Sequence, residues 1–296
     1  MYNASENRIA KALQEDIENA LSKIGLLFRV FSRAKSQHSI ENKLSRDPTK
    51  YSAEGKKIQD LFGVRIALYF PDDLEITIRA LKELFIYDEQ SSTIDRPDGT
   101  SFSATRCNLI FRLPENLAVQ STMIRERPQI DETFEVQIRT ILSEGWHEVE
   151  HDLRYKCQED WRDHRDLDRA LNGIYATLET SDWSMMKLFE DLAYRHYKAA
   201  EWSQMLRTKF RLRSNGSISD EISVILNSDQ NIAKELYRIK RYRILERLAD
   251  RDISIPITPD NLVYLCNFFH LKSKQITAIT PAPLLDIFEE HASKKQ

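Results

Sequence analysis

Apolar residues recur at helical spacing from Ser5 to Leu27, through Ile9, Leu13, Ile17, Leu21 and Ile24, which predicts one amphipathic helix with a charged outer face. Such a stripe needs an apolar surface to cover, so a sheet is expected beneath it. A basic and polar stretch then runs from Phe31 to Arg46 and stops before Pro48, and Ala53 to Leu61 reads as a short helix. The run Gly63 to Phe70 is rich in strand-forming residues. It ends at Pro71-Asp72-Asp73, where either aspartate can cap a helix reaching Phe85. Pro97, Asp98 and Gly99 mark a turn, after which Phe102 to Leu113 reads as a second strand and Phe134 to Arg139 as a third. Pro114 to Glu132, between those two strands, fits an ordered substrate loop and a mobile connection equally well.

Thr140 to Lys156 has helical patterning, which resumes from Trp161 to about Tyr197. Strands interleaved with helices predict an α+β fold, a mixed β-sheet flanked by helices. Beyond about Glu201 the strand signals fade into apolar-periodic segments and basic clusters. Thr258-Pro259-Asp260 marks one helix start and Thr280-Pro-Ala-Pro283 precedes another. The expected organisation is a core domain over 1–200 and a small C-terminal helical domain over 201–296, of unassigned role, where a protein partner can dock.

Composition narrows the class. With 41% hydrophobic and 30% charged residues the chain is too apolar to stay disordered, and 296 residues suffice for a sizeable core. A formal charge of −3 gives no global attraction to nucleic acid or membranes, so any basic site is local. Cys107, Cys157 and Cys266 form neither a disulfide framework nor a zinc pattern, and the N-terminal stretch has no long apolar run; a cytoplasmic protein with no membrane contact is expected.

Four constellations carry chemistry. Arg33-x-Lys35-x3-Ser39-Ile40-x2-Lys43 supplies cations and a hydroxyl suited to phosphate oxygens, with Ser39 and Lys43 on one helical face; a solvated basic turn has the same composition. Asp60-Leu61-Phe62-Gly63-Val64-Arg65-Ile66 sets an acid before a strand and an arginine on it. Asp60 suits Mg²⁺, and Arg65 suits a purine face, a phosphate or a structural ion pair. In Phe134 to Thr140 the alternation puts Glu135, Gln137 and Arg139 on one strand face, as in any half-exposed strand, and Glu135 beside a second acid makes a Mg²⁺ pair or a ligand and base pair. Trp146 to Lys156 places Trp146 with Glu150, and His147 with His151, four residues apart. His147-Glu148-x2-His151 also matches the zinc-protease helix, but no third ligand follows at a recognisable distance.

Taken in order, these blocks resemble the synthetase domain of the RelA/SpoT-type (p)ppGpp synthetases, above all the small alarmone synthetases and their toxin relatives, over about residues 5 to 200. The resemblance implies a nucleotidyltransferase-like core and transfer of the β,γ-diphosphate of ATP to a ribose 3′-hydroxyl. It implies that Arg33 and Arg65 sandwich adenine and that Lys35, Ser39 and Lys43 hold the ATP phosphates. Asp60 and Glu135 would bind Mg²⁺, with Glu135 also activating the acceptor hydroxyl. Gln137, Arg139, Glu150 and His151 fall on the acceptor side. Where the family has Tyr-x-Ser-x-His against the guanine nucleotide, this chain reads Phe102-Ser103-Ala104-Thr105-Arg106. Phe102 keeps a stacking face, and Arg106 changes the polar contacts. The acceptor is therefore GDP or GTP, or the 3′ end of tRNA as in the toxin relatives; a nucleotide-responsive binding protein without transfer activity is the third reading. Homo-oligomers are compatible with all three.

Overall fold

The structure, a computed structural model, describes residues 3–46, 50–52, 54–95, 107–250 and 253–293. By its internal contacts the chain forms two units. The first comprises Met1–Asn19 and Phe28–Asp182, the second Ala20–Leu27 and Trp183–Gln296.

The first unit is built on a five-stranded mixed sheet of order β1-β2-β5-β4-β3, formed by β1 (Phe28–Ala34), β2 (Phe62–Leu68), β3 (Tyr87–Ile94), β4 (Cys107–Arg112) and β5 (Thr133–Thr140). Only β2 and β5 run parallel; the other neighbours are antiparallel. The expected fold class holds. Helix α1 (Asn3–Ile24) begins in this unit, where Ile9, Leu13 and Ile17 are buried and Gln14 ties it to β1, donating to the Val30 carbonyl and accepting from Ser32 Oγ. Helices α2 (Gln37–Arg46), α3 (Leu74–Leu84), α4 (Glu115–Ala118), α5 (Thr122–Glu126), α6 (Ile141–Glu150) and α7 (Gln158–Trp161) follow, and α8 (Arg165–Lys198) starts here. Pro114 to Glu132 is thus ordered, carrying α4 and α5.

Three expectations need correction. Phe28 to Ala34 is a strand that the reading of Phe31 to Arg46 as a basic and polar stretch did not include: Phe28 and Val30 face the core while Arg29, Phe31 and Arg33 are exposed on the other side. No helix forms over 54–61. Ile58 instead makes a parallel bridge with Ile130, its N–H donating to the Gln129 carbonyl (2.8 Å) and its carbonyl accepting from Asp131 (2.9 Å), so its backbone is satisfied by a neighbouring segment rather than within a helical turn. Strand β3 escaped the sequence reading because Asp88 to Thr93 is polar throughout. Its register shifts between Asp88 and Thr93, and Ser92 Oγ accepts from the Ile110 N–H. Asp73 stands at the N-cap of α3, but its side chain does not cap it.

The second unit is helical among its described residues. It contains α9 (Trp202–Phe210), α10 (Asp220–Ser228), α11 (Gln230–Arg238), α12 (Arg241–Ala249), α13 (Pro259–Cys266), α14 (Lys274–Ile279) and α15 (Ala282–Ser293). As expected, Thr258 caps α13, accepting from the Asn261 N–H, with Pro259 in its first turn. Gly25 has φ +81° and its N-terminal neighbours leave α1 there; a Cβ would lie 3.1 Å from Ile257, so only glycine fits without strain. No helix among the described residues is long and apolar enough to cross a membrane.

Candidate active site

Strand pairing places the chemistry in rows on one sheet face. Arg33, Gly63 and Glu135 are register partners across β1, β2 and β5, and the next row is Phe31, Arg65 and Gln137, joined by Asn108 of β4. Side chains in a row share a face, so five polar groups from four strands converge. Gly63 stands between Arg33 and Glu135, and a Cβ there meets nothing within 4 Å, so the middle of that row is open.

Above this face lies a cavity of about 700 Å³. The sheet supplies Arg33, Arg65, Glu135, Gln137 and Arg139. Lys35 and Asp60 enter from the ends of β1 and the segment before β2, and α2 adds Ser39 and Lys43. Helix α6 contributes Glu150, and His151 opens the π-helical turn His151–Tyr155 that extends it. Every expected site residue that the structure describes therefore lines one cavity. Phe102 and Arg106 lie outside the described residues.

The cations and acids are strongly coupled. Lys35 forms an ion pair with Asp60, and Lys43 Nζ reaches its other oxygen at 3.0 Å. Burial pushes the Asp60 carboxyl up, but the two ammonium groups outweigh it and hold it below the usual range. Glu135 behaves oppositely. Burial and then the charge of Asp60 raise it, even though Gln137 Nε2 donates to it at 3.1 Å and Asn108 Nδ2 at 3.2 Å. Two acids that repel across one cavity, with oxygen atoms only, form a donor set that suits a hard divalent cation completing its shell with water and phosphate.

Glu144 and Asn42 were not singled out from the sequence, and the contacts of Glu148, His147 and Tyr155 are visible only in the structure. Glu144 of α6 accepts from both Arg65 and Arg139, and Arg65 also pairs with Glu148. His147 is buried beside them, its ring edge-on to Trp146 (5.1 Å) and 5.5 Å from Tyr175. Burial, then Arg139 and Arg65, push its pKa down to about 3, so it is neutral and is not a cationic ligand for phosphate. Tyr155 stacks on His151 at 5.8 Å and 13°, offering a flat exposed surface at the cavity wall. Asn42 follows Ser39 by three residues on α2 and could have been found from helical spacing alone. Glu144 could not, because its partners lie on two different strands.

Comparisons with known proteins bear on the same segment. Residues 32–160 match the family model described as "Region found in RelA / SpoT proteins". The chain is 31% identical over 133 residues to the GTP pyrophosphokinase YwaC of Bacillus subtilis (strain 168), an alignment covering 44% of this chain and 59% of that protein. Among solved structures, small alarmone synthetase 2 from Bacillus subtilis aligns at 24% identity with a TM-score of 0.42, covering 62% of this chain and 95% of the other. Small alarmone synthetase 1 from Bacillus subtilis bound to its product pppGpp aligns at 18% with a TM-score of 0.47, covering 64% and 95%. The family match begins in β1 and ends in α7, enclosing the strands and helices that carry the cavity, so that region is similar to the RelA/SpoT proteins, while the chain spans about 59% of the curated relative's length.

Proposed function

We propose that this chain is an ATP:nucleotide 3′-pyrophosphokinase with GDP or GTP as acceptor, making (p)ppGpp. The observation that carries the reading is the pairing of Lys35 and Lys43 on Asp60 in the same cavity as Glu135, which sets phosphate-binding cations against a carboxylate pair. Arg33 and Arg65 offer planar guanidinium groups to the adenine, and Lys35, Ser39 and Lys43 face its triphosphate. The acceptor 3′-oxygen attacks the β-phosphorus in line, the bond from the β-phosphorus to the bridging α,β-oxygen breaks, and AMP departs with that oxygen. The hydroxyl proton passes to Glu135, whose raised pKa suits a proton acceptor. Asp60 and Glu135 would hold Mg²⁺, which supplies charge neutralisation on the triphosphate when bound. Positioning by the fixed strand rows then accounts for much of the rate.

The three cysteines, with no disulfide between them, support a cytoplasmic setting. The basic stretches of the second unit lend less to a tRNA acceptor than their sequence suggests. Arg211 and Arg241 are buried, Arg241 donates to the Phe210 carbonyl, and Lys209 lies over the Tyr237 ring at 4.9 Å. The test is incubation with γ-labelled ATP and Mg²⁺ in separate reactions with GDP, GTP, ATP or bulk tRNA, followed by chromatography. Label on GDP or GTP is expected. Label on tRNA alone would assign the polynucleotide acceptor instead, and no transfer to any acceptor would leave a nucleotide-binding protein without this activity.

A further inference from the structure

The second unit contains a cavity of about 450 Å³ that shares no residue with the site above. It is bounded by the end of α11, the start of α12 and the π-helical turn Asn267–Leu271, with Arg238, Lys240, Arg243 and His270 supplying its nitrogen groups. Glu235 is the single carboxylate in the lining, and it already accepts from Arg238 Nη1 at 3.3 Å. Among the described residues the side chains of Lys240 and Arg243 make no hydrogen bond or ion pair.

Exposed cations without partners are ordinary on a solvated face. What distinguishes this cavity is His270. Its Nε2 is shielded from solvent and has no hydrogen-bond partner within the protein. Burial, then the charges of Arg243, Arg247 and Lys272, push this imidazole below its ordinary pKa. Lys240 is also the N-cap residue of α12, and no side chain caps that helix, so the positive end of its dipole opens on the same cavity.

The positive charge is confined. Arg247 is drawn over the Phe269 ring at 4.5 Å and Lys272 over Phe268 at 4.8 Å, which leaves a compact group rather than a stripe that could track a polynucleotide. Apart from the imidazole, the lining offers no aromatic ring on which a base could stack, so recognition there is by charge and hydrogen bonding. We propose that this cavity binds a compact polyphosphate anion, a di- or triphosphate group, held by Lys240 and Arg243 beside the His270 ring.

The experiment follows the histidine ring resonances of the full chain by NMR during titration with sodium tripolyphosphate. There are seven histidines, and the His270 signal is assigned as the one missing in His270→Gln. A saturable shift of that signal is expected in the wild type, weakened by about tenfold or more in apparent affinity in Lys240→Ala/Arg243→Ala. Arg243→Glu, a surface charge reversal, serves as the second variant if the double one melts early, and it should abolish the shift. ATP binding to the first unit, measured in parallel, should be unchanged in both. The proposal is overturned if the His270 signal does not move at millimolar tripolyphosphate, if it moves equally in folded variants, or if it responds only to an RNA oligonucleotide.

Discussion

The Glu144 carboxylate bridges two arginines, accepting from Arg65 Nη1 at 3.3 Å and from Arg139 Nη1 at 2.9 Å. Arg65 and Arg139 stand on adjacent strands and repel one another, and Arg33 adds to that repulsion; acids of α6 hold them in place, Glu144 on both and Glu148 on Arg65. Glu144 therefore acts through its partners. Glu144→Gln keeps the shape but removes the charge, and we expect KM for ATP to rise about tenfold, equivalent to ~1.4 kcal/mol, with kcat much less affected. Steady-state kinetics against ATP checks this, and an equal fall in kcat with KM unchanged would contradict a positioning role.

Asp60→Asn and Glu135→Gln should each lower transfer by about 10²–10⁴-fold while the fold persists. Both side chains line the cavity rather than the core. Label transfer and circular dichroism melting, run on the same preparations, separate lost chemistry from lost structure. An active Asp60→Asn protein would remove Asp60 from the metal and phosphate machinery.

Gly63→Val fills the open centre of the row between Arg33 and Glu135 without meeting another atom within 4 Å at its Cβ. A β-branched residue suits a strand, so stability should be unchanged or slightly higher. ATP affinity should fall by more than about tenfold, as calorimetric titration would show. Wild-type affinity in this variant would mean that the nucleotide does not descend to that row.

His147 sets a pH dependence of stability. Its pKa in the fold is pushed to about 3 by burial, Arg139 and Arg65, from an ordinary value of 6.5. Between those values the unfolded chain binds a proton that the folded chain refuses, so stability rises with pH there and is lost on acidification below 6.5. The contribution approaches ~1.4 kcal/mol per pH unit over that window. Urea unfolding at several pH values should show a shallower slope for His147→Leu than for wild type, and identical slopes would show that another group dominates.

Much of the candidate site was legible because its chemistry is local. Arg33-x-Lys35-x3-Ser39-x3-Lys43, Asp60 to Arg65 and Glu135-x-Gln137-x-Arg139 each declare residue type and spacing, and the alternation in β5 alone puts three side chains on one face. The amphipathic stripe of α1 and the capped start of α13 were equally readable, since each depends on residues within a few positions of one another. Strand β3 and the 54–61 segment were not, because their backbones pair with segments distant in sequence, β3 with β4 and Ile58 with Ile130.

The sequence by itself determined which side chains could bind phosphate, metal and base, since donor type, charge and periodicity are properties of short segments. Only the tertiary structure decided that they meet. The pairing of β1, β2 and β5 brings Arg33, Gly63 and Glu135 into one row, and the packing of α6 brings Glu144 to the two arginines and buries His147. Register and helix docking arise from contacts between residues far apart in the chain, and no local pattern encodes those distances.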